Sequence, residues 1–482
     1  MDSIAFLEME DKPMLPNEPF CFTDLQYLTV PLPAEIAALR ENADFAGEVR
    51  RIDKLLPRVT DTVMRKRLQL EQFIAAGLTK DYRIGFDEML SLLQKHHPYM
   101  TAAHLYAILD MGFADVVYRA GGVHFEDDAC ANILAQCDTY LRRIADPAYI
   151  PQPDYRLTES HIAALQKQGK VQIRYTVRES LRANIVREGK TLRVWLPYPA
   201  ITPELSDIRT LSSSHPVRID DHVLRCAYME LPDYHGETAE ITLSFVNIAR
   251  YREISPELVD EVQPDIPEYL GEQLPHIHFS PYLRMLEAEI TGHHKNPLIR
   301  ARRIYDYITE NVRYSFMRQY RYFDDIPTFC AVNHRGDCGV QALLFITLAR
   351  LSGIPARWQS GNSVRPALSG KNGGHIGSHD WAQFYIAPFG WLQCDPSAGG
   401  GAYRNGKDAI RDFYFCHADA FRYICATAFQ TDLSPAKTYM RLDPYDNQSG
   451  EAEYTDAYLD PDDVTRRKEL LETEVSYGGE EE

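Results

Sequence analysis

A change of hydrophobic period near residue 170 most narrows what this 482-residue chain can fold into. Before it, apolar residues recur at three- and four-residue intervals, as at Phe86, Met89, Leu90 and Leu93 or at Leu105, Ile108 and Leu109. That spacing is the inward stripe of amphipathic helices, and Ala34–Leu39, Glu48–Leu56 and Thr60–Ala75 read the same way. After it, Val171-Gln172-Ile173-Arg174-Tyr175-Thr176-Val177, Leu192–Leu196 and Ile241–Val246 alternate with period two, as half-buried strands do. Pro197, Pro199, Pro203, Pro216 and Pro232 punctuate these strands, which favours a small β-sandwich over a parallel sheet. Pro256, Pro264, Pro267, Pro275 and Pro281 then mark a stiff linker to a third unit.

The expected organisation is α+β and multidomain. An α-helical N-terminal domain over 1–160 precedes a β-sandwich over 165–255, an α+β core over 270–430 and an acidic extension over 431–482. The length suits about three domains. Of the net charge of −18, −9 belongs to residues 451–482, which carry 12 acidic and 3 basic residues and read as a solvated terminus packing partly against the core. No basic stripe is available for phosphates, so neither nucleic acid nor an anionic membrane is an expected partner. The first residues lack a basic segment followed by an apolar one, and no run approaches a membrane span. Nine scattered cysteines without a Cys-x-x-Cys pair suit a reducing cytoplasm and give no zinc pattern; no metal or cofactor is expected.

Chemistry concentrates after residue 297. Gly336-Asp337-Cys338 supplies a turn, an N-cap and a cysteine in the first turn of an apolar helix that Gly353 and Pro355 terminate. Backbone N–H groups at such a terminus favour a thiolate, although a cysteine there is often merely a small buried apolar residue. A glycine-rich segment, Gly370–Gly377, then enters a strand carrying His379-Asp380-Trp381, and a second strand runs from Gly390-Trp391 to Asp395-Pro396. An antiparallel hairpin would bring His379 beside Asp395, where a carboxylate orients the imidazole and stabilises imidazolium.

In this order and spacing, these residues resemble the transglutaminase-like superfamily of papain-like cysteine enzymes, bacterial type, over about 280–400. The resemblance implies Cys338 as nucleophile, His379 as general base and Asp395 as orienting acid. The indole that metazoan transglutaminases place upstream of the nucleophile has no counterpart here, because no Trp lies between Trp195 and Cys338. Tyr314 is the candidate for oxyanion support, and Trp381 for support of the His379 strand. The implied activity is acyl transfer from an amide through a thioester on a peptide or protein substrate. Hydrolysis of the protease or amidase kind is favoured, with protein-glutamine transamidation and a catalytically idle interaction scaffold as alternatives. Oligomeric state is not encoded in any motif.

Plainer readings cover the remaining candidates. His375 lacks the Trp two positions on; His334, His276, His278, His293 and His294 read as surface residues, and His96, His97 and His104 as surface or core. Gly399-Gly400-Gly401 reads as a flexible turn, and Trp358, Trp381 and Trp391 as packing residues.

Overall fold

In the α+β core, helix Cys338–Leu351 is the central element, buried from Cys338 to Arg350. With apolar residues on every face it must be covered all round, and each fully buried Leu or Phe contributes roughly 1.5–3 kcal/mol. Helices Pro281–Thr291, Pro297–Asn311 and Ile326–Asn333 pack around it. A five-stranded antiparallel sheet covers the other side, in the order Phe415–Cys416, Gly390–Cys394, Gly374–Ile386, Ala356–Pro366, Arg422–Ala426. This computed structural model describes residues 21–119, 121–151, 153–366, 374–441 and 445–477. Residues 370–373 of the expected glycine-rich segment lie outside that set.

The N-terminal region is helical, but it also holds a three-stranded antiparallel sheet with Gly122–Phe125 between Ile84–Gly85 and Val116–Arg119. Strands of two to four residues leave no readable alternation. Residues 84–141 have an apolar core of their own. Helix Thr62–Asp81 instead shares the apolar core of the α+β unit, because Leu70, Ile74 and Leu78 pack in one cluster with Ile304, Ile308 and Leu344. Beneath it lies a buried charged group in which Arg40 and Arg67 donate to Glu71, with Glu48 alongside.

The sandwich consists of two four-stranded sheets. Val171, Ile173, Tyr175 and Val177 are buried on alternate positions of Lys170–Ala183, as the period-two pattern requires. The acidic C-terminal stretch is not a solvated tail where it is described. Glu451–Tyr454 joins one sheet beside Leu192–Pro197, and Val464–Tyr477 forms the edge of the other beside Lys170–Ala183. Charge concealed these strands from sequence reading. The edge strand carries Arg466, Arg467, Lys468 and Glu469, a way to discourage edge-to-edge pairing that also erases hydrophobic alternation.

Two further expectations change. Gly399-Gly400-Gly401 lies within helix Pro396–Arg404, where a Cβ on Gly399 would meet Tyr305 Oη at 1.7 Å. The glycine serves close packing rather than flexibility. His276 is fully buried, with Nε2 2.6 Å from Tyr445 Oη, and so is not a surface residue. His334 is exposed, as read.

Candidate active site

Asp337 caps the central helix: its Oδ1 accepts from Val340 N at 2.9 Å and from Tyr320 Oη at 2.5 Å. This starts the helix at Cys338 and leaves its first-turn N–H groups at the sulfur's end. A short parallel pairing aligns Tyr314 with Gly336, which carries the phenol to the sulfur. Burial, followed by the neighbouring Cys338, pushes the Tyr314 hydroxyl far above its ordinary range, so it stays protonated and able to donate.

Strand Gly374–Ile386 runs antiparallel to Gly390–Cys394, pairing Ala382 with Cys394. Just past that pair, His379 Nε2 lies 2.7 Å from Asp395 Oδ2. Asp395 is 1% exposed and caps the next helix, its Oδ1 accepting from Ala398 N and Ser397 Oγ, both at 3.0 Å. Arg422 Nη1 donates to Asp395 Oδ2 at 2.9 Å. Burial alone would raise this carboxyl, but the His379 and Arg422 charges outweigh it and hold Asp395 well below the carboxylate range. With Nε2 committed to the carboxylate, Nδ1 is the ring atom left for proton exchange.

Trp381 stacks on His379, with centroids 5.7 Å apart and planes 26° apart, and donates its Nε1–H to Gln393 Oε1 at 2.9 Å. Because that sole indole donor is occupied, Trp381 buttresses the imidazole and has none to offer an oxyanion. Arg422 lies over the other part of this arrangement, 4.8 Å from the Trp381 ring centroid. Tyr314, His379, Ser397 and Arg422 line one cavity of about 210 Å³.

The sulfur's own hydrogen bond runs to Asp380 Oδ2, at 3.8 Å, rather than to the imidazole of the preceding residue. Asp380 also accepts from Gln448 Nε2 at 2.6 Å. Burial, then the Asp380 and Asp337 charges, pushes the Cys338 thiol well above its ordinary value, while the Asp380 backbone N–H works the other way. Cys338 is 8% exposed. The arrangement is thus an imidazole–carboxylate pair and a protonated, covered thiol whose hydrogen bond goes to the residue next to that imidazole in the strand. His375 is exposed four residues away.

Sequence reasoning missed Arg422, Asp380 and Tyr320. Asp380 stood inside the quoted His379-Asp380-Trp381 run, but nothing in one sequence distinguishes it from a solvent-facing strand residue. Arg422 comes from the far edge of the sheet, so no local spacing could tie it to Asp395. Among the described residues, no group of three or more His, Cys, Asp or Glu is arranged to hold a metal ion. Among the same residues, no helix is long and apolar enough to cross a membrane.

Residues 284–396 match the transglutaminase-like superfamily and form a transglutaminase-like core within the chain. Among solved structures, the chain is similar to a protein described as a candidate cysteine protease from Cytophaga hutchinsonii, with 13% identity and a TM-score of 0.40, covering 65% of this chain and 94% of that one. It is also similar to the periplasmic domain of TgpA from Pseudomonas aeruginosa, with 14% identity and a TM-score of 0.30, covering 52% and 95%. A candidate protease from Parabacteroides distasonis matches at 14% identity and a TM-score of 0.20, covering 46% of each chain. Among curated proteins, none matches.

Proposed function

We propose that the transglutaminase-like core catalyses cysteine-dependent acyl transfer on amide bonds, with hydrolysis of a peptide or protein amide as the reaction. The observation that carries this reading is the 2.7 Å pair of His379 and Asp395, set one residue from the contact made by Cys338 at the N-terminus of the buried helix.

In this mechanism the Cys338 S–H proton passes to His379 Nδ1, and the sulfur attacks the amide carbonyl carbon. Asp395 stabilises the resulting imidazolium through Nε2, and Arg422 keeps Asp395 ionised while it does so. The Tyr314 hydroxyl and the Cys338 backbone N–H donate to the developing oxyanion. Collapse of the tetrahedral species breaks the C–N bond, and the imidazolium proton leaves with the amine. Water then gives a proton to His379 Nδ1 and its oxygen to the thioester carbon, releasing a carboxylic acid and restoring the thiol. An amine acceptor in place of water would give transamidation. The nine unpaired thiols support a reducing, cytoplasmic setting for this chemistry.

A second reading, an idle scaffold for protein association, draws on the covered Cys338 thiol and its bond to Asp380. Labelled iodoacetamide separates the two. An active site is expected to give one fast-reacting thiol, lost in Cys338→Ala; uniformly slow labelling of all nine cysteines sinks the enzyme reading. Incorporation of a fluorescent amine into a glutamine-bearing protein would move the assignment from hydrolysis to transfer.

A further inference from the structure

A larger cavity, of about 700 Å³, lies between the sandwich and the core on the other side of Trp381. Its volume is in the range of ligand sites. Lys170, Arg250, Arg252 and Arg357 line it, and among the described residues none of the four is in an ion pair. Their hydrogen bonds go to neutral oxygens instead: Arg357 Nε donates to Gln383 Oε1 at 2.9 Å, Arg250 Nη1 to the Pro203 carbonyl at 3.1 Å, and Arg252 to the Phe389 carbonyl. Two carboxylates face the same space. Asp419 is neutralised by Arg422 at 3.2 Å, and Glu204 accepts from Gln393 Nε2 at 2.9 Å. The lining therefore carries a positive surplus inside a chain whose net charge is −18.

Repulsion within the cluster opposes this grouping, and its members make little use of their charge internally. The Arg357 guanidinium carbon sits 4.0 Å from the Trp391 ring centroid, which fixes the plane of the fork and leaves its remaining N–H groups directed by that stacking. Planar guanidinium forks match carboxylates bidentately. The Trp381 indole forms part of the wall and stacks on His379, and Arg422 lines both cavities while holding Asp395.

We propose that this cavity binds an acidic segment of the polypeptide substrate, taking its carboxylates on Arg357 and Arg252 with Lys170 and Arg250 beside them. This rests on the reading of the core as an enzyme acting on polypeptides, and it names the substrate as one bearing Asp or Glu near the cleaved bond.

The test uses the full chain carrying Cys338→Ala, so that binding is read without turnover. Fluorescence anisotropy of a labelled pentaglutamate peptide is compared with its pentaglutamine counterpart. The glutamate peptide is expected to bind about tenfold or more tightly, a difference of about 1.4 kcal/mol. The Arg252→Gln, Arg357→Gln pair is expected to abolish that difference, while Lys54→Ala on a remote exposed surface leaves it intact. Arg252→Gln alone, on an exposed side chain, gives a partial loss without risk to folding, and thermal melting checks both variants. Equal affinity for the two peptides, no binding of either, or a double variant that binds like the parent overturns the proposal. Citrate that binds as tightly as the glutamate peptide at equal molar concentration would assign the carboxylates to a free small acid rather than a chain, and sink the polypeptide claim. A slow Cys338 in the labelling experiment sinks the enzymatic reading and leaves the anisotropy result standing.

Discussion

Arg422 Nη1 donates at 2.9 Å to the same Asp395 oxygen that lies 2.7 Å from His379 Nε2. The carboxylate is thus shared between a guanidinium and an imidazole. The Arg422 charge favours the ionised carboxylate, and Arg422 is held in turn by Asp419 at 3.2 Å.

Arg422→Met is therefore expected to raise the Asp395 pKa and shift the acid limb of the kcat/KM profile to higher pH. Arg422→Lys should restore part of the shift. Breaking the buried cluster is expected to cost about 3–5 kcal/mol of stability, read by urea melts. An unchanged acid limb in a folded variant would rule out Arg422 as the group that positions the pair.

Asp395, with a pKa depressed in the folded state, contributes stability that is present above its ordinary value of 3.8 and lost as pH falls through the lower folded value. Acid melts of the parent and of Asp395→Asn should accordingly diverge at neutral pH and converge in strong acid. Parallel curves throughout would contradict the assignment.

Asp380→Asn removes a negative charge beside the Cys338 thiol while leaving an amide to face Gln448. The thiol pKa is expected to fall, and the rate of iodoacetamide labelling at pH 8 to rise several-fold. A slower rate would mean that Asp380 takes the proton rather than opposing its loss.

Glu48 is fully buried, and its carboxyl is pushed up to about 9, first by burial and then by Glu71. A raised acid stabilises below its ordinary 4.5 and loses that contribution as pH rises through the folded value. Glu48→Gln should therefore raise Tm by several degrees at pH 9 and little at pH 4. Equal gains at both would show a packing effect instead.

Gly399→Ala would gain about 1 kcal/mol of helix propensity but place a Cβ 1.7 Å from Tyr305 Oη, displacing the 2.7 Å bond from that hydroxyl to the Arg411 carbonyl. Overpacking of this kind typically costs about 1–3 kcal/mol, so a net loss of stability is expected in calorimetry. A more stable variant would show that Tyr305 can retreat freely.

The features legible along the chain were carried by period and punctuation. Alternation at Val171–Val177 marked a strand, and the apolar run closed by Gly353 and Pro355 marked the central helix with Cys338 in its first turn. Such signals are local, because backbone geometry repeats every two or every 3.6 residues. Contacts between distant segments alone make the acidic stretch close the sandwich, set the sulfur's hydrogen bond on Asp380, and bring Arg422 to Asp395 from another strand. Those outcomes depend on which surfaces of distant segments meet and on how burial sets the charge of the groups between them, and neither is written in the spacing of residues along one chain.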